Sequence, residues 1–230
     1  MKMIVNFFQR KPRPGFSFSL EYIFDDLRKR LAYKIKSNVY ISSYYNDGYL
    51  SKLINIIEAW IRQGKDINHI TGEVHFLDLL MRKKRVVLTI HDCGMIHRKS
   101  GWARNVIRWL YLRGPVSCAS IVTTVSEMTK AEIVTYANCS PDKVRVIPVA
   151  VNPQYIPYPK GFNEEKPVIL HIGTGYNKNL IRLIESLSGI SCHLCIIGKI
   201  SETHIQLLKK HNIEYSNEYN ISNERMLEKY

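Results

Sequence analysis

Short apolar runs alternate with longer amphipathic segments over most of the chain. The longer segments carry apolar residues every three or four positions, which predicts helices, whereas the short runs predict strands. Apolar residues occupy both faces of these strands, a pattern typical of a parallel sheet that is covered by helices. The predicted strands lie near residues 3–7, 38–42, 67–71, 86–91, 121–125 and 144–149, and the predicted helices lie near 17–32, 49–63, 76–84, 101–113 and 127–138.

A proline-rich segment interrupts this alternation. Pro153, Pro157 and Pro159 can continue neither a helix nor a central strand, so residues 153–166 are predicted to form a linker. We therefore expect an α/β chain with two Rossmann-like doubly wound domains, residues 1–152 and 167–230. The second domain is expected to be incomplete, because the pattern stops within a helix. Its predicted strands lie near 168–172, 192–198 and 213–215, and its helices near 178–188, 201–211 and from 222 onward.

The composition favours a folded chain with an uneven distribution of charge. Hydrophobic residues make up 45% of the 230 residues and charged residues 23%, which excludes a disordered chain. The formal net charge is +13, and residues 1–155 carry +12 of it. Such an excess indicates an anionic partner, namely nucleic acid, a membrane surface or a phosphorylated ligand. The alternative is the lysine-rich codon usage of an AT-rich genome. No nucleic-acid recognition element accompanies the charge, so we expect no nucleic-acid partner.

The cysteines and the N-terminus indicate a reducing, cytoplasmic setting. Five cysteines are an odd number without the spacing of a disulfide framework, and no signal peptide or transmembrane run is visible. Cys192 and Cys195 lie in a predicted strand with their side chains on opposite faces, so they are interpreted as core residues. Four side chains near strand ends lack the spacing of a zinc site, and we expect no metal: His69, Glu73, His75 and His97.

A glycine turn between residues 173 and 178 is a candidate anion site. Gly173 and Gly175 follow a predicted strand, but Lys178 occupies the third glycine position of a dinucleotide-binding turn, and no acidic residue ends the next strand. The turn is also not a P-loop. Backbone N–H groups, a helix N-terminus and Lys178 are expected to converge on one anion, namely a phosphate. A helix cap with a solvated lysine is the alternative, and the sequence does not separate the two.

Two further segments carry candidate chemistry. His91 and Asp92 end a buried strand, at the edge of an α/β sheet where ligands bind, so we interpret His91 as a functional residue. The predicted helix 101–113 carries Trp102 and Trp109 together with arginines, and the basic run 82–85 precedes a buried strand. Contact with an anionic membrane is one interpretation of this helix. Packing of its tryptophans on their own sheet is the preferred one.

Several of these pieces recur in the same order in a known family. The chain resembles the family-four retaining glycosyltransferases of bacterial cell-surface polysaccharide synthesis, which have the two-domain GT-B fold. The resemblance covers most of the chain. The matching stretches are residues 69–75 (HITGEVH), 88–92 (LTIHD), 123–127 (TTVSE), 140–148 (SPDKVRVIP) and 172–180 (IGTGYNKNL).

The resemblance implies transfer of a sugar from a nucleotide-sugar donor to a polysaccharide or lipid-linked acceptor, as in lipopolysaccharide assembly. It implies that the first domain binds the acceptor and the second the donor nucleotide, with no separate cofactor. His91 matches the histidine that contacts the donor sugar, and Lys178 matches the basic residue that holds the diphosphate. Gly15 matches the loop that approaches donor and acceptor, while Gly173 and Thr174 belong to the donor turn.

The chain also departs from the family pattern. Thr174 stands where many members carry a second cation, and the family's pair of glutamates falls beyond Tyr230. We therefore expect a C-terminally truncated enzyme with little activity of its own, located in the cytoplasm or at the inner face of the cell membrane. The alternative hypothesis is a non-catalytic acceptor- or membrane-binding module that works with a separate donor-domain chain.

Overall fold

Two separate parallel sheets organise the chain, each with its own helices. The computed structural model describes residues 2–12, 19–98, 100–151, 153–157, 159 and 161–230. The chain divides into two units, Met1–Asn152 and Pro153–Tyr230. Within the described residues, the first unit contains the strands β1 (Met3–Gln9), β2 (Ile35–Ile41), β3 (Ile67–Ile70), β4 (Val86–Thr89), β5 (Ile121–Thr124) and β6 (Val144–Val146). Its helices are α1 (Ser19–Leu31), α2 (Tyr49–Arg62), α3 (Gly94–His97), α4 (Gly101–Arg108), α5 (Gly114–Cys118) and α6 (Glu127–Ala137).

The six strands of the first unit form one parallel sheet in the order β2-β1-β3-β4-β5-β6, counted over the described residues. Successive side chains of a strand point to opposite faces, and β1 illustrates the result. Phe7 packs with Phe24 of α1 on one face, while Phe8 packs with Ile56 and Ala59 of α2 on the other. Burial of each phenylalanine contributes roughly 1.5–3 kcal/mol. The apolar character of the strand on both faces therefore reflects cover on both faces, as the sequence predicts.

The predicted helix at 76–84 is wrong. The segment forms two 3-10 turns, His75–Leu80 and Lys83–Arg85, and the backbone is extended at Met81 and Arg82 between them. Phe76 and Leu77 are buried in the core together with Met81. Their apolar spacing mimics a helix, but the core buries these three side chains from two short 3-10 turns joined by an extended link.

The predicted helix at 101–113 is α-helical over only part of its length. It is α-helical to Arg108 and continues as a π-helical turn over Trp109–Arg113 before α5 begins. A Cβ atom on Gly114 would lie 3.0 Å from the Trp109 carbonyl oxygen and 3.0 Å from Leu79 Cδ2, so glycine permits the close packing of this junction. The wider turn changes the register of the helix, and Leu112 is buried while Trp109 stays exposed.

The second unit is a smaller parallel sheet. Its core joins Leu180 and Ile184 of one helix to Leu194 and Ile196 of the central strand and to Leu208 of a second helix. Among the described residues its strands are β7 (Val168–Ile172), β8 (His193–Ile197) and β9 (Glu214–Glu218), in the order β7-β8-β9, and its helices are α7 (Leu180–Ser186), α8 (Glu202–Lys210) and α9 (Asn223–Lys229).

Two serines cap helices, and the prediction that Cys192 and Cys195 are core residues is confirmed. The hydroxyl oxygens of Ser126 and Ser222 accept hydrogen bonds from the backbone N–H groups of Thr129 and Arg225, at 3.1 and 3.2 Å, and so cap α6 and α9. Cys192 and Cys195 are buried and unpaired.

Asp78 is a buried carboxyl group inside the first unit. Its side chain is fully buried, and neither oxygen has a hydrogen-bond partner among the described residues. Burial is the largest cause that raises the pKa of Asp78 to about 8. The folded state therefore holds a proton at this position that the unfolded chain releases near pH 4.

We predict that Asp78→Asn removes much of the pH dependence of stability. Because the folded pKa exceeds the unfolded pKa, the contribution of Asp78 is fully present below about pH 4 and is lost as pH rises through about 8. Asp78 alone should cost the protein on the order of 5 kcal/mol at most over this range, while the lowered pKa values of His69 and His75 act in the opposite direction below about pH 6.5. Urea unfolding at pH 5, 7 and 9 measures the effect. Asp142→Asn, at an exposed position of the same unit, is the control and should leave the slope unchanged. An unchanged slope in Asp78→Asn would contradict the prediction.

Candidate functional site

The topology of the first sheet places a crevice at the carboxyl ends of β1 and β3. The chain passes from β1 to β2 on one side and then returns to β3 on the other side of β1. The connections that leave β1 and β3 therefore diverge, and open α/β sheets bind ligands at such a switch point. Arg10 follows β1 here, Gly72 and Glu73 follow β3, and His91 follows β4.

Arg10 ties three elements together at this crevice. Its Nε and Nη2 donate to the two carboxylate oxygens of Glu21 in α1, at 2.8 and 3.1 Å, and its Nη1 donates to Glu73. Paired hydrogen bonds between guanidinium and carboxylate are directional as well as strong. The end of β1, helix α1 and the loop after β3 are therefore held in a defined geometry.

Two consecutive residues of the loop after β3 have a left-handed backbone conformation. Gly72 has φ of +87° and Glu73 has φ of +54°. A Cβ atom at Gly72 would lie 2.8 Å from His91 Cδ2, so the backbone packs directly against the imidazole and excludes any side chain. A non-glycine residue in the left-handed region costs about 1 kcal/mol. The ion pair with Arg10 helps to hold Glu73 there.

The His91 side chain is a neutral imidazole with an unused nitrogen. Burial is the largest cause that lowers the pKa of His91, while Asp92 and Glu73 oppose it. Nε2 is buried and has no hydrogen-bond partner among the described residues, and the Phe24 ring stands edge-on at 6.0 Å. Asp92 Oδ1 accepts from the Gly94 N–H at 2.8 Å. A neutral imidazole held this way can hydrogen-bond a sugar hydroxyl or a phosphate oxygen.

A row of hydrogen-bonded side chains that crosses β3, β4 and β5 lies near His91, together with an apolar cavity. His69 Nε2 contacts Thr89 Oγ1 at 2.7 Å, and Thr89 Oγ1 contacts Thr123 Oγ1 at 2.8 Å. Burial lowers the pKa of His69 to about 4, so this imidazole is neutral at pH 7. These side chains face a cavity of about 520 Å³ that is otherwise lined mainly by apolar side chains of β1, β3 and α1, and His91 stands at its border.

In the second unit, Lys178 folds over the glycine turn at the end of β7. Gly173 has φ of +87°, and a Cβ atom there would lie 3.0 Å from Lys178 Cγ and 3.2 Å from Lys178 Cε. Thr174 Oγ1 donates to the Lys199 carbonyl at 2.7 Å, which joins the loops after β7 and β8. A Cβ atom at Gly198 would lie 2.9 Å from Thr174 Cγ2, so a second glycine allows this approach.

Basic residues gather at this edge of the second sheet. Lys178 and Lys199 lie in the two loops, and His171 lies near the end of β7. The pKa of His171 is lowered by burial first and then by the positive charges of Lys178 and His204. His171 and His204 are not among the site residues predicted from the sequence, although the position of His171 near the carboxyl end of a predicted strand is a usable signal. Such an edge suits a negatively charged ligand.

The helix that follows this turn begins later than predicted. Lys178 belongs to a 3-10 turn, Tyr176–Lys178, and α7 begins at Leu180 after a left-handed Asn179. The structure therefore brings together Gly173, Thr174 and Lys178, while the helix starts two residues further along. Gly15, another predicted site residue, lies outside the described residues.

The other histidines near strand ends have structural partners. His75 Nδ1 donates to the Tyr111 carbonyl at 2.7 Å, and burial lowers the pKa of His75 to about 4. His97 contacts Glu132 at 2.9 Å. Across the described residues, no group of three histidine, cysteine or acidic side chains is placed to hold a metal ion.

The preferred interpretation of Trp102 and Trp109, that they pack on their own sheet, is wrong. Trp102 is 77% exposed and Trp109 is 55% exposed, so neither is buried against the sheet. Val106 lies between them on the same exposed face, whereas Arg104 and Arg108 lie on another face, where the Arg104 guanidinium stands 5.8 Å from the centre of the Tyr136 ring. The described helices include none that is both long and apolar enough to cross a membrane.

We predict that Gly72→Ala destabilises the protein, because Gly72 packs directly against His91. In Gly72→Ala the left-handed backbone costs about 1 kcal/mol, and the added methyl group must also displace the imidazole, so the unfolding free energy should fall by about 2 kcal/mol or more. Gly101→Ala is a matched control, because Gly101 has φ of +60° and no atom lies within 4 Å of the position that its methyl group would take. Urea unfolding gives the stabilities, and NMR titration follows His91. Equal effects of the two variants on His91 would refute the contact.

Comparisons with known proteins agree with this geometry. Residues 14–155 match the family described as Glycosyltransferase Family 4. No curated protein sequence matches the chain. The crystal structures of Anabaena HepE in complex with UDP and glucose and in complex with UDP-glucose each align with a TM-score of 0.64 and 13% identity. Each alignment covers 96% of this chain and 70% of HepE.

A second solved structure has the same fold. AviGT4, a glycosyltransferase involved in avilamycin A biosynthesis, aligns with a TM-score of 0.58 and 12% identity over 98% of this chain and 65% of its own. These similarities confirm the predicted α/β fold of GT-B type, and the family match covers more than half of the sequence. The chain therefore belongs to glycosyltransferase family 4.

Proposed function

We propose that the protein transfers a sugar from a nucleotide-sugar donor to a cell-surface polysaccharide or lipid-linked acceptor, with retention of configuration at the anomeric carbon. The observation that carries this proposal is the basic edge of the second unit, where Lys178 folds over Gly173 beside Lys199. The UDP and UDP-glucose complexes of HepE support a nucleotide sugar as the donor. The donor is a substrate, and the proposed reaction requires no separate cofactor.

The proposal divides the work between the two units. The first unit, with residues 1–152, is the acceptor side and also supplies His91. Residues 153–166 are the linker, and residues 167–230 bind the donor nucleotide. Gly15 is proposed to lie near donor and acceptor.

His91 is the proposed catalytic contact to the donor sugar. Its burial keeps the imidazole neutral near pH 7, and its unpartnered Nε2 can exchange a hydrogen bond with a sugar hydroxyl. Gly72 and Phe24 fix the ring from two sides, so little orientational freedom is lost when the sugar binds.

Lys178 is the proposed diphosphate-binding residue. When the bond between the anomeric carbon and the phosphate oxygen breaks, negative charge grows on the leaving diphosphate, and a nearby ammonium group stabilises that charge. Gly173 permits the lysine chain to fold close to the strand end, and Thr174 holds the adjoining loop. The same lysine therefore contributes to donor binding and to departure of the leaving group.

We also propose a cytoplasmic location with peripheral contact to the inner face of an anionic membrane. Trp102 on α4 and Trp109 in the turn that follows it support this contact, since exposed tryptophans suit the membrane interface, and the net positive charge of the first unit favours an anionic one. The five unpaired cysteines are consistent with a reducing compartment.

Nucleotide binding tests the role of Lys178. Calorimetry with UDP, GDP, CDP and TDP should identify a nucleotide that binds the native chain, and Lys178→Gln should weaken that binding about 10-fold or more, because one charge-assisted contact is lost. Lys210→Gln, at the end of α8, is the charge-matched control and should bind within twofold of the native chain. Absence of binding to all four nucleotides, or equal affinity of Lys178→Gln, would overturn the donor site.

Comparison of a nucleotide with its sugar conjugate tests His91. His91→Phe keeps an aromatic ring beside Phe24 and removes the nitrogen, so affinity for the free nucleotide should stay within twofold. The additional affinity given by the sugar should fall about fivefold or more, the effect of one lost hydrogen bond. Calorimetry with UDP and UDP-glucose makes the comparison. Loss of affinity for both ligands alike would instead assign His91 a structural role. A native chain that transfers the sugar only when a separate donor-domain chain is added would favour the binding-module alternative.

A further inference from the structure

Helix α2 turns an apolar surface toward solvent. Leu50, Leu53, Ile57, Trp60 and Ile61 are each between 40% and 71% exposed. Their spacing places them on one side of a helix, where residues three, four and seven apart are neighbours. These five residues form the α2 outer face.

The core of the first unit does not bury the α2 outer face. The opposite side of the helix carries Asn55, Ile56 and Ala59, which are buried. At 100° per residue, Leu50, Ile57 and Ile61 point directly away from that buried side. Surface helices are normally polar on the side away from the core, so an apolar side indicates a binding surface.

A cluster of cations adjoins one end of this face. The backbone N–H of Arg82 donates to Gln63 Oε1 at 3.0 Å, and Gln63 Nε2 donates to the Trp60 carbonyl at 2.8 Å. The basic run 82–85 is therefore attached to the C-terminal end of α2, beside Trp60. The exposed members of this "α2 basic cluster" are Arg62, Lys65, Arg82, Lys83 and Lys84.

The charge of this cluster is left uncompensated in the part of the chain that the structure describes. Among those residues, none of the five cations forms an ion pair, although the Arg62 guanidinium stands 5.9 Å from the centre of the Tyr40 ring. The nearest sequence neighbours with negative charge have backbone partners, because Glu58 accepts from the Ser43 N–H and Asp66 accepts from the Ile4 N–H. An apolar face that ends in uncompensated cations is complementary to a surface that is both apolar and anionic.

We propose that the α2 outer face and the α2 basic cluster bind an anionic lipid bilayer. The leucine and isoleucine side chains enter the boundary between headgroups and acyl chains, and the cations contact the headgroups. Trp60 stands between the two groups, and Tyr49 at the other end of α2 is also exposed, so aromatic rings occupy interfacial positions at both ends. A second copy of the chain would bring the same five cations, so charge disfavours self-association.

This surface is separate from the donor and sugar contacts. It lies on α2 and the 3-10 turn Lys83–Arg85, whereas His91 follows β4 and Lys178 belongs to the second unit. It is also distinct from α4, whose exposed tryptophans support the membrane contact proposed above. Vesicle binding through α2 can therefore fail while nucleotide binding persists, and the reverse also holds.

Cosedimentation with vesicles tests the proposal on the full chain. The probes are vesicles of phosphatidylglycerol and phosphatidylcholine in equal amounts, and vesicles of phosphatidylcholine alone. The native chain should bind the anionic vesicles at least 10-fold more strongly. The variant Leu50→Gln/Leu53→Gln/Ile61→Gln should lose at least 10-fold in affinity, because three apolar side chains no longer enter the interface. Lys83→Gln/Lys84→Gln should weaken binding to the anionic vesicles and reduce its dependence on salt.

Controls make the result specific to α2. Met128→Gln changes an exposed apolar residue on α6 and should bind vesicles within twofold of the native chain. Trp102→Gln/Trp109→Gln measures the contribution of these two tryptophans separately, and circular dichroism with urea unfolding shows that the first unit of each variant remains folded. The proposal is overturned if the native chain does not bind anionic vesicles or if the triple variant binds as the native chain does. It is equally overturned if sedimentation velocity shows a native dimer that the triple variant dissociates while vesicle binding is unchanged, since the face would then join two copies of the chain.

Discussion

The close packing of Gly72 against the His91 imidazole is the constraint on which the site in the first unit depends. It requires a residue without a side chain, a left-handed backbone and a loop that turns at once after β3. Arg10 completes the arrangement, because its guanidinium joins α1 through Glu21 to that loop through Glu73. The ends of three parallel strands thereby meet at fixed distances, and the imidazole is oriented before any ligand arrives.

Burial then determines the charge state of this region. His69 and His75 have pKa values of about 4 and His91 has a lowered pKa, in each case mainly through burial, so all three imidazoles are neutral near pH 7. Two of them have protein partners, His69 with Thr89 and His75 with the Tyr111 carbonyl. The buried Nε2 of His91 has none among the described residues. Position in the hydrogen-bond network, rather than residue type, therefore distinguishes the histidine suited to a ligand from the two that stabilise the fold.

The strands and the doubly wound topology could be predicted from sequence because the physical signal is local. Apolar runs such as residues 86–91 reveal burial on both faces, and Ser126 and Ser222 mark helix starts through bonds within four residues. The segments at 76–84 and 101–113 could not be predicted in detail. Their apolar spacing suits a continuous α-helix, but contacts that are distant in sequence accompany the 3-10 and π-helical turns. Phe76, Leu77 and Met81 are buried in the core, and Gly114 packs closely against Trp109 and Leu79.

The same distinction between local signals and long-range contacts applies to the residues of the candidate site. His91 and Lys178 could be chosen from sequence because each follows a predicted strand. The pairing of Arg10 with Glu73 spans 63 positions, and no local pattern connects those two residues. The α2 outer face shows a further reason. Leucine and isoleucine at helical spacing predict a helix that buries one side, yet α2 is apolar on two sides, and only the fold shows which side the core takes. Once the core is assigned to Asn55, Ile56 and Ala59, the remaining apolar side and the cations beside it require a partner outside the unit.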